Sequence, residues 1–232
     1  MKPHRVLALV NRHLVLYKRS PQRIMEIVYW PLLDLLLWGF LTLYLARYRE
    51  GLPGFVTFVL GALILWEILF RAQQGICISF LEEIWARNFL NLFVSPLSIG
   101  EFLVSTMLVS VIKVAAASLL TISLAYGSYS FNMFVLGVSL VPFVINLIVM
   151  GWAIGIFTTA VILRFGQEAE VLAWGLAFLF QPVSAVFYPV SVLPPFLQGS
   201  ASGIPAAHVF EGMRGVIEAK AFPCHGWCWR QA

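Results

Sequence analysis

Apolar residues in this chain run on rather than alternate. Five stretches, 27–46, 55–80, 102–126, 131–163 and 171–192, are almost uninterrupted in Leu, Ile, Val, Phe, Ala and Trp. A helix needs about 20 such residues to cross the hydrocarbon core of a bilayer. Within that core only helices and closed barrels satisfy their own backbone groups. Barrel strands alternate apolar and polar positions, and these runs do not. The pattern predicts an all-α, polytopic transmembrane bundle of about five spans. The second and fourth runs exceed the minimum, so those helices are expected to tilt or to continue past the bilayer surface.

Residues 1–23 follow another rule. Arg5, Arg12, Arg19 and Arg23 recur on one stripe at helical spacing, with Val6, Val10, Leu14 and Tyr17 opposite. That is the pattern of an amphipathic helix lying in the membrane interface. Ser20 and Pro21 then offer an N-cap and a first-turn proline to the next helix.

Composition turns the pattern into a class. The 232 residues are 60% hydrophobic and 11% charged, with a mean hydropathy of +0.88. A soluble domain averages about 45–50% apolar and about 25% charged, and too few polar side chains remain here to cover a water-soluble surface. The composition excludes a disordered chain, a disulfide scaffold and an ordinary cytosolic enzyme, and leaves an integral membrane protein. Six of the fifteen Lys and Arg precede residue 24, so the net charge of +4 reads as a topology signal and not as a nucleic-acid surface. With the N-terminus inside, the inner side collects Lys2, Arg5, Arg12, Lys18, Arg19, Arg23, Arg87 and Arg164, against Arg47 and Arg49 in the first two outer loops. The expected N-terminus is therefore cytoplasmic. It has no small-residue cleavage site before the first apolar run and reads as retained. Residues 127–130 form an uncharged turn suited to the outer face. Cys77, Cys224 and Cys228 are an odd number and imply no disulfide framework.

One loop, 81–100, is long and polar enough to work outside the bilayer. Glu82, Glu83, Trp85 and Arg87 open it in helical context, with Glu83 and Arg87 at the favoured i,i+4 spacing. Ile84, Phe89 and Phe93 would face the membrane or a partner, and Ser95 before Pro96 stops the helix. Four charges fall inside spans: Asp34, Glu67, Arg71 and Lys113. Each costs about 2.5–3.5 kcal/mol on insertion scales and counts as functional by default. Glu67 and Arg71, at i,i+4, are expected to pair, and so are Asp34 and Lys113, each near the middle of its span. Gly151 and Gly155 allow close approach of a neighbouring helix, here a candidate contact between subunits. Trp30, Trp38, Tyr44 and Tyr48 read as interfacial anchors. No residue qualifies as catalytic. Cys224, His225 and Cys228 lack the second cluster that a tetrahedral metal site needs, so none is expected. No Gly-x-x-x-x-Gly-Lys-Ser/Thr string is present to cradle a nucleotide.

The acidic residues leading into a short amphipathic helix, closing on Val94, Ser95, Pro96, Leu97 and Ser98, resemble the cytoplasmic coupling loop of type-2 ABC transporter permeases. Downstream, Phe187, Tyr188, Pro189 and Val190, the turn at Leu193 and Pro194, then Pro205, His208 and Arg214, resemble the family's outer re-entrant segment, 187–214. The resemblance covers residues 1–217 as a transmembrane domain. It implies a permease of the bacterial inner membrane that pairs with a second permease chain, as a homo- or heterodimer. It also implies a cytoplasmic ATPase partner that carries ATP and magnesium, with no cofactor and no enzyme activity on this chain. The implied cargo is hydrophobic, drug-like or lipid-linked, and is exported. Glu82, Glu83, Trp85, Arg87, Ser95 and Pro96 would face the motor, with the turn 164–170 as a second contact. The family's sixth span has no counterpart. The tail 218–232 is too short and polar to cross a bilayer, and a truncated or frameshifted C-terminus is expected. Two other classes remain open from sequence: a secondary carrier or channel using Asp34, Glu67 or Lys113, and a non-transporting scaffold or intramembrane enzyme.

Overall fold

The computed structural model describes residues 2–48, 55–129 and 131–221, which form helices and no strand. In chain order these are α1 (Pro3–Arg19), α2 (Pro21–Tyr48), α3 (Phe55–Trp85), α4 (Phe89–Val94), α5 (Ile99–Tyr129), α6 (Leu140–Phe165), α7 (Leu172–Val183), α8 (Pro195–Ser202) and α9 (Pro205–Ala221). Among the described residues four helical stretches are long and apolar enough to cross a membrane: Pro21–Leu45, Val56–Trp85, Ile99–Tyr129 and Leu136–Phe165. The tail beyond residue 221, with Cys224, His225 and Cys228, lies outside the described residues, as do Arg49 and Ser130. The turn expected at 127–130 instead begins inside α5. That helix runs on to Tyr129, whose hydroxyl donates to the Leu35 carbonyl at 3.3 Å.

The fifth predicted span, 171–192, is not one continuous helix. A 3-10 turn, Gly166–Val171, leads into α7, which is only 12 residues long, about 18 Å at 1.5 Å per residue. Pro182 sits in its last turn, and Ala185 adopts a left-handed φ of 50°. Pro189 then keeps the backbone extended, and no α-helix restarts until Pro194 and Pro195 open α8. The chain folds through a 3-10 turn at Val190–Val192 into α8 and α9 instead. Phe210 and Met213 of α9 reach full burial in the core, with Met213 against Gly61 near the start of α3.

α3 is the hub. Of its apolar stretch 78% is buried, against 19–28% for the other three long helices. Its closest partner is α6, where Gly151 and Gly155 do their work. A Cβ on Gly151 would stand 2.6 Å from the Leu69 carbonyl oxygen, and one on Gly155 2.8 Å from that of Gln73. The Gly-x-x-x-Gly pair therefore seats α6 on α3 within one chain, and its expected role between subunits is replaced by an internal one. At the same level Ser110 of α5 donates to the Ala72 carbonyl at 3.1 Å and accepts from Trp152 Nε1 at 3.3 Å. Three helices are thus pinned at one crossing.

Candidate functional site

α1 spans Pro3–Arg19, so Arg23 of the stripe falls in α2, and the buried residues of α1 are Val6, Leu9, Val10 and His13, with Leu14 exposed. Val6 and Val10 bury against Val109 of α5. Its basic residues meet acids at the end of α3 and the start of α5. Arg12 donates to both carboxylate oxygens of Glu83, at 2.6 and 3.1 Å. Arg23, just beyond α1, reaches Glu82 at 3.3 Å. At the loop's other end the Lys2 backbone N–H donates to Glu101 at 2.7 Å, and Arg5 lies 3.8 Å from the same carboxylate and donates to the Pro96 carbonyl. Glu101 is also half of a capping box. Its carboxylate accepts from the Ser98 N–H at 3.1 Å while the Ser98 hydroxyl accepts from the Glu101 N–H at 3.2 Å, so two orphan donors at the start of α5 are satisfied. α1 clasps the loop 81–100 at both ends.

This places the motor-facing candidates. Glu83 is 1% exposed and points at α1, and Glu82 is half-buried against Arg23. The expected Glu83–Arg87 pair does not form. α3 ends at Trp85 because Arg87 turns left-handed, with φ 52°. Its N–H bonds the Ile84 carbonyl and that of Asn88 the Glu83 carbonyl, the double bond of a Schellman motif with arginine where glycine is usual. Asn88 Nδ2 takes Arg87's expected place, donating to Glu83 at 2.8 Å. What remains outward is Trp85, 51% exposed, with Arg87, Pro96 and Val94. Ser95 caps α4, its hydroxyl donating to the Leu92 carbonyl at 2.6 Å. The side chains of Phe89 and Phe93 lie outside the described residues.

His13 was not singled out by its spacing, yet it is fully buried beneath α1 with no hydrogen bond to either ring nitrogen. Burial, reinforced by the charges of Lys113, Arg12 and Arg23 and opposed by Glu83, lowers its pKa from 6.5 to about 4.

The intramembrane charges divide differently from expectation. Glu67 and Arg71 do pair, Arg71 Nε donating to Glu67 Oε1 at 2.5 Å with both side chains buried. Asp34 and Lys113 do not meet. Lys113 Nζ lies 3.4 Å from the Ser79 hydroxyl and 4.3 Å over the Tyr17 ring. Ser79 stands two turns beyond Arg71, about 12 Å along α3. Asp34 opens with Glu67 and Arg71 into a cavity of about 300 Å³ between α2, α3 and α7, whose walls include Trp30, Trp38, Trp66, Trp174 and Gln74. Trp30 and Trp38, expected as membrane anchors, line this cavity, and Trp38 also stacks on Phe187 at 5.0 Å. Gln74 was overlooked as uncharged. Its place at i+3 from Arg71 and i+7 from Glu67 puts all three on one face of α3.

At the opposite end, the break after α7 is held by Arg214. It donates to the Ala185 carbonyl and, at 2.5 Å, to that of Tyr188, and lies 5.2 Å over the Phe58 ring. Tyr188 donates to the Pro182 carbonyl at 2.7 Å, and His208 Nε2 lies 2.9 Å from the Ser202 carbonyl. Pro189 precedes the 3-10 turn, Pro194 caps α8 and Pro205 opens α9. Among the described residues no group of His, Cys, Asp and Glu is arranged to hold a metal ion. Compared with known proteins, the chain matches no family model and no curated sequence.

Proposed function

We propose that this chain is the membrane-spanning permease subunit of an ATP-binding-cassette exporter, driven by a separate ATPase and working beside a second permease chain. The α1 end faces the cytoplasm in this reading, in keeping with the positive-inside rule. One observation carries it: the segment between α3 and α5 that contains the short helix α4 is flanked by contacts to α1, at Glu83 before it and at Glu101 after it, and leaves Trp85, Arg87 and Val94 outward. Because α1 ties the end of α3 to the start of α5, a push on the segment between them is passed on to both long helices. The load enters α3 through Glu82 and Glu83 and α5 through the Ser98–Glu101 box. The cargo is a hydrophobic, drug-like or lipid-linked molecule.

The test is purification of the tagged chain from its native membranes, followed by mass spectrometry for a co-purifying subunit with a Gly-x-x-x-x-Gly-Lys-Ser/Thr string. Replacing Trp85 and Arg87 together by Glu is expected to cut recovery of that subunit at least tenfold with Tm unchanged. The buried Glu83 is a poor probe because its loss frees α1. The acidic cavity favours a second reading, an ion-coupled carrier. Flux through proteoliposomes holding this chain alone, without nucleotide, would establish that reading and refute the exporter.

A further inference from the structure

The cavity between α2, α3 and α7 is unlike a packing defect. Two carboxyl groups, Asp34 and Glu67, face it with one guanidinium, Arg71, and Arg71 is already committed to Glu67. One carboxyl group is therefore in excess, and it is Asp34, exposed on an apolar helix. A lone carboxylate at membrane depth is costly unless a cation meets it. Around it stand the rings of Trp30, Trp38, Trp66 and Trp174, and tryptophan faces are the best aromatic partners for a cation. Gln74 adds an independent sign. It is 6% exposed, lines the cavity, and its Nε2 is sealed from solvent with no hydrogen-bond partner. A buried amide without a partner is rare in a finished interior. The volume of about 300 Å³ is at the lower end of small-molecule pockets.

We propose that this cavity is a binding site for a lipophilic organic cation, an ammonium or phosphonium centre carried on an aromatic body. The cationic centre sits against Asp34, its rings lie among the tryptophans, and the Gln74 carboxamide takes up a polar atom of the ligand. An anion of the same shape would meet a cavity with one carboxyl group in excess of its guanidinium, and a neutral one would leave that excess in place. As a cargo site this rests on the exporter reading above; cation binding itself does not.

The experiment uses the full chain in phosphatidylcholine nanodiscs, without ATPase or nucleotide. Ethidium fluorescence is titrated and then displaced by tetraphenylphosphonium or by tetraphenylborate, an anion of the same shape. Expected are saturable binding, displacement by the phosphonium and not the borate, and at least tenfold weaker binding in Asp34→Asn, restored in Asp34→Glu. Trp38→Phe should weaken binding less than Trp38→Leu, which separates loss of a ring from loss of fold. Binding equal to that of empty nanodiscs, displacement by borate as readily as by phosphonium, or an Asp34→Asn chain of native Tm and native affinity would overturn the proposal. A chain that binds ethidium yet recruits no ATPase refutes the exporter and keeps the site; the converse keeps the exporter and removes the site.

Discussion

Removing the guanidinium of Arg12 tests the clasp at its strongest point. Glu83 has a side chain 2% exposed and holds Arg12 at 2.6 and 3.1 Å. Stripping one partner from a buried pair costs about 3–5 kcal/mol, because the other charge stays buried and unpaired. Two features lower that figure. The Arg12 side chain is 37% exposed, so water already screens it, and Asn88 still donates to Glu83 at 2.8 Å. Arg12→Met should then cost about 2 kcal/mol, felt first as undocking of α1.

Hydrogen exchange reads this directly. At about 1.4 kcal/mol per tenfold, amides of α1 should exchange roughly 30-fold faster in Arg12→Met while those in the middle of α3 hold. Glu83→Gln, which removes the buried charge and keeps a hydrogen-bonding side chain, should cost less. The double variant should exchange no faster than Arg12→Met alone, giving a coupling energy of about 1 kcal/mol or more. Arg19→Met is the control, since Arg19 is exposed. Equal acceleration by Arg19→Met, or strictly additive single effects, would refute the clasp.

Other outcomes follow from the same contacts. The His13 pKa of about 4 lies below the unfolded 6.5, so the folded state refuses a proton that the undocked helix accepts; α1 docking should be full above pH 6.5 and weaken by about 1.4 kcal/mol per unit as pH falls toward 4. His13→Met should flatten that limb in hydrogen exchange measured against pH, and an unchanged profile would count against the assignment. Gly151→Ala should lower Tm, at a cost of about 1–3 kcal/mol, because its Cβ meets backbone, whereas Gly175→Ala, with nothing within 4 Å, should be neutral or gain up to about 1 kcal/mol. Arg214→Met should speed proteolysis at 184–190, because both carbonyl bonds donated by its Nη2 are lost. Arg87→Gly should raise Tm, as it removes about 1 kcal/mol of left-handed strain.

Run length carried the four long helices, because hydropathy measures what a bilayer demands. The same measure misled at 171–192, where it counts Ala185 and Val186 as apolar and cannot see a left-handed turn. Pro182, Pro189, Pro194 and Pro195 were the available warning. The arginine stripe was legible as a helix face, but its acidic partners were not: Glu82, Glu83 and Glu101 lie 59, 71 and 96 residues in sequence from Arg23, Arg12 and Arg5. Depth within a span was too coarse a guide for Asp34 and Lys113, which differ in both level and facing. Glu67 and Arg71 were found because they are charged. Gln74 on the same stripe passed unnoticed because glutamine in an apolar run raises no alarm.

The two polar regions on α3 are physically continuous. Arg71 and Gln74 line the cavity on one side and, on the other, a small hollow shared with Tyr17, Arg23 and Lys113. Residues 67, 71, 74, 78 and 82 follow one another at three- and four-residue steps, so the stripe that begins in the cavity ends at the acid held by Arg23. Between those ends α3 is seated on α5 and α6 by contacts to its own backbone at Leu69, Ala72 and Gln73. Such contacts resist bending. A displacement at Glu83 would therefore reach Glu67, about 24 Å away along the axis, as a tilt of the whole helix. A tilt of about 10° over that length shifts one end by about 4 Å relative to the other, carrying Glu67 and Arg71 together past Asp34 of α2. In the proposed transporter the outward Trp85 and the Trp-lined cavity are thus opposite arms of one lever. Loosening α1 with Arg12→Met should then weaken the coupling between them while leaving ethidium affinity intact.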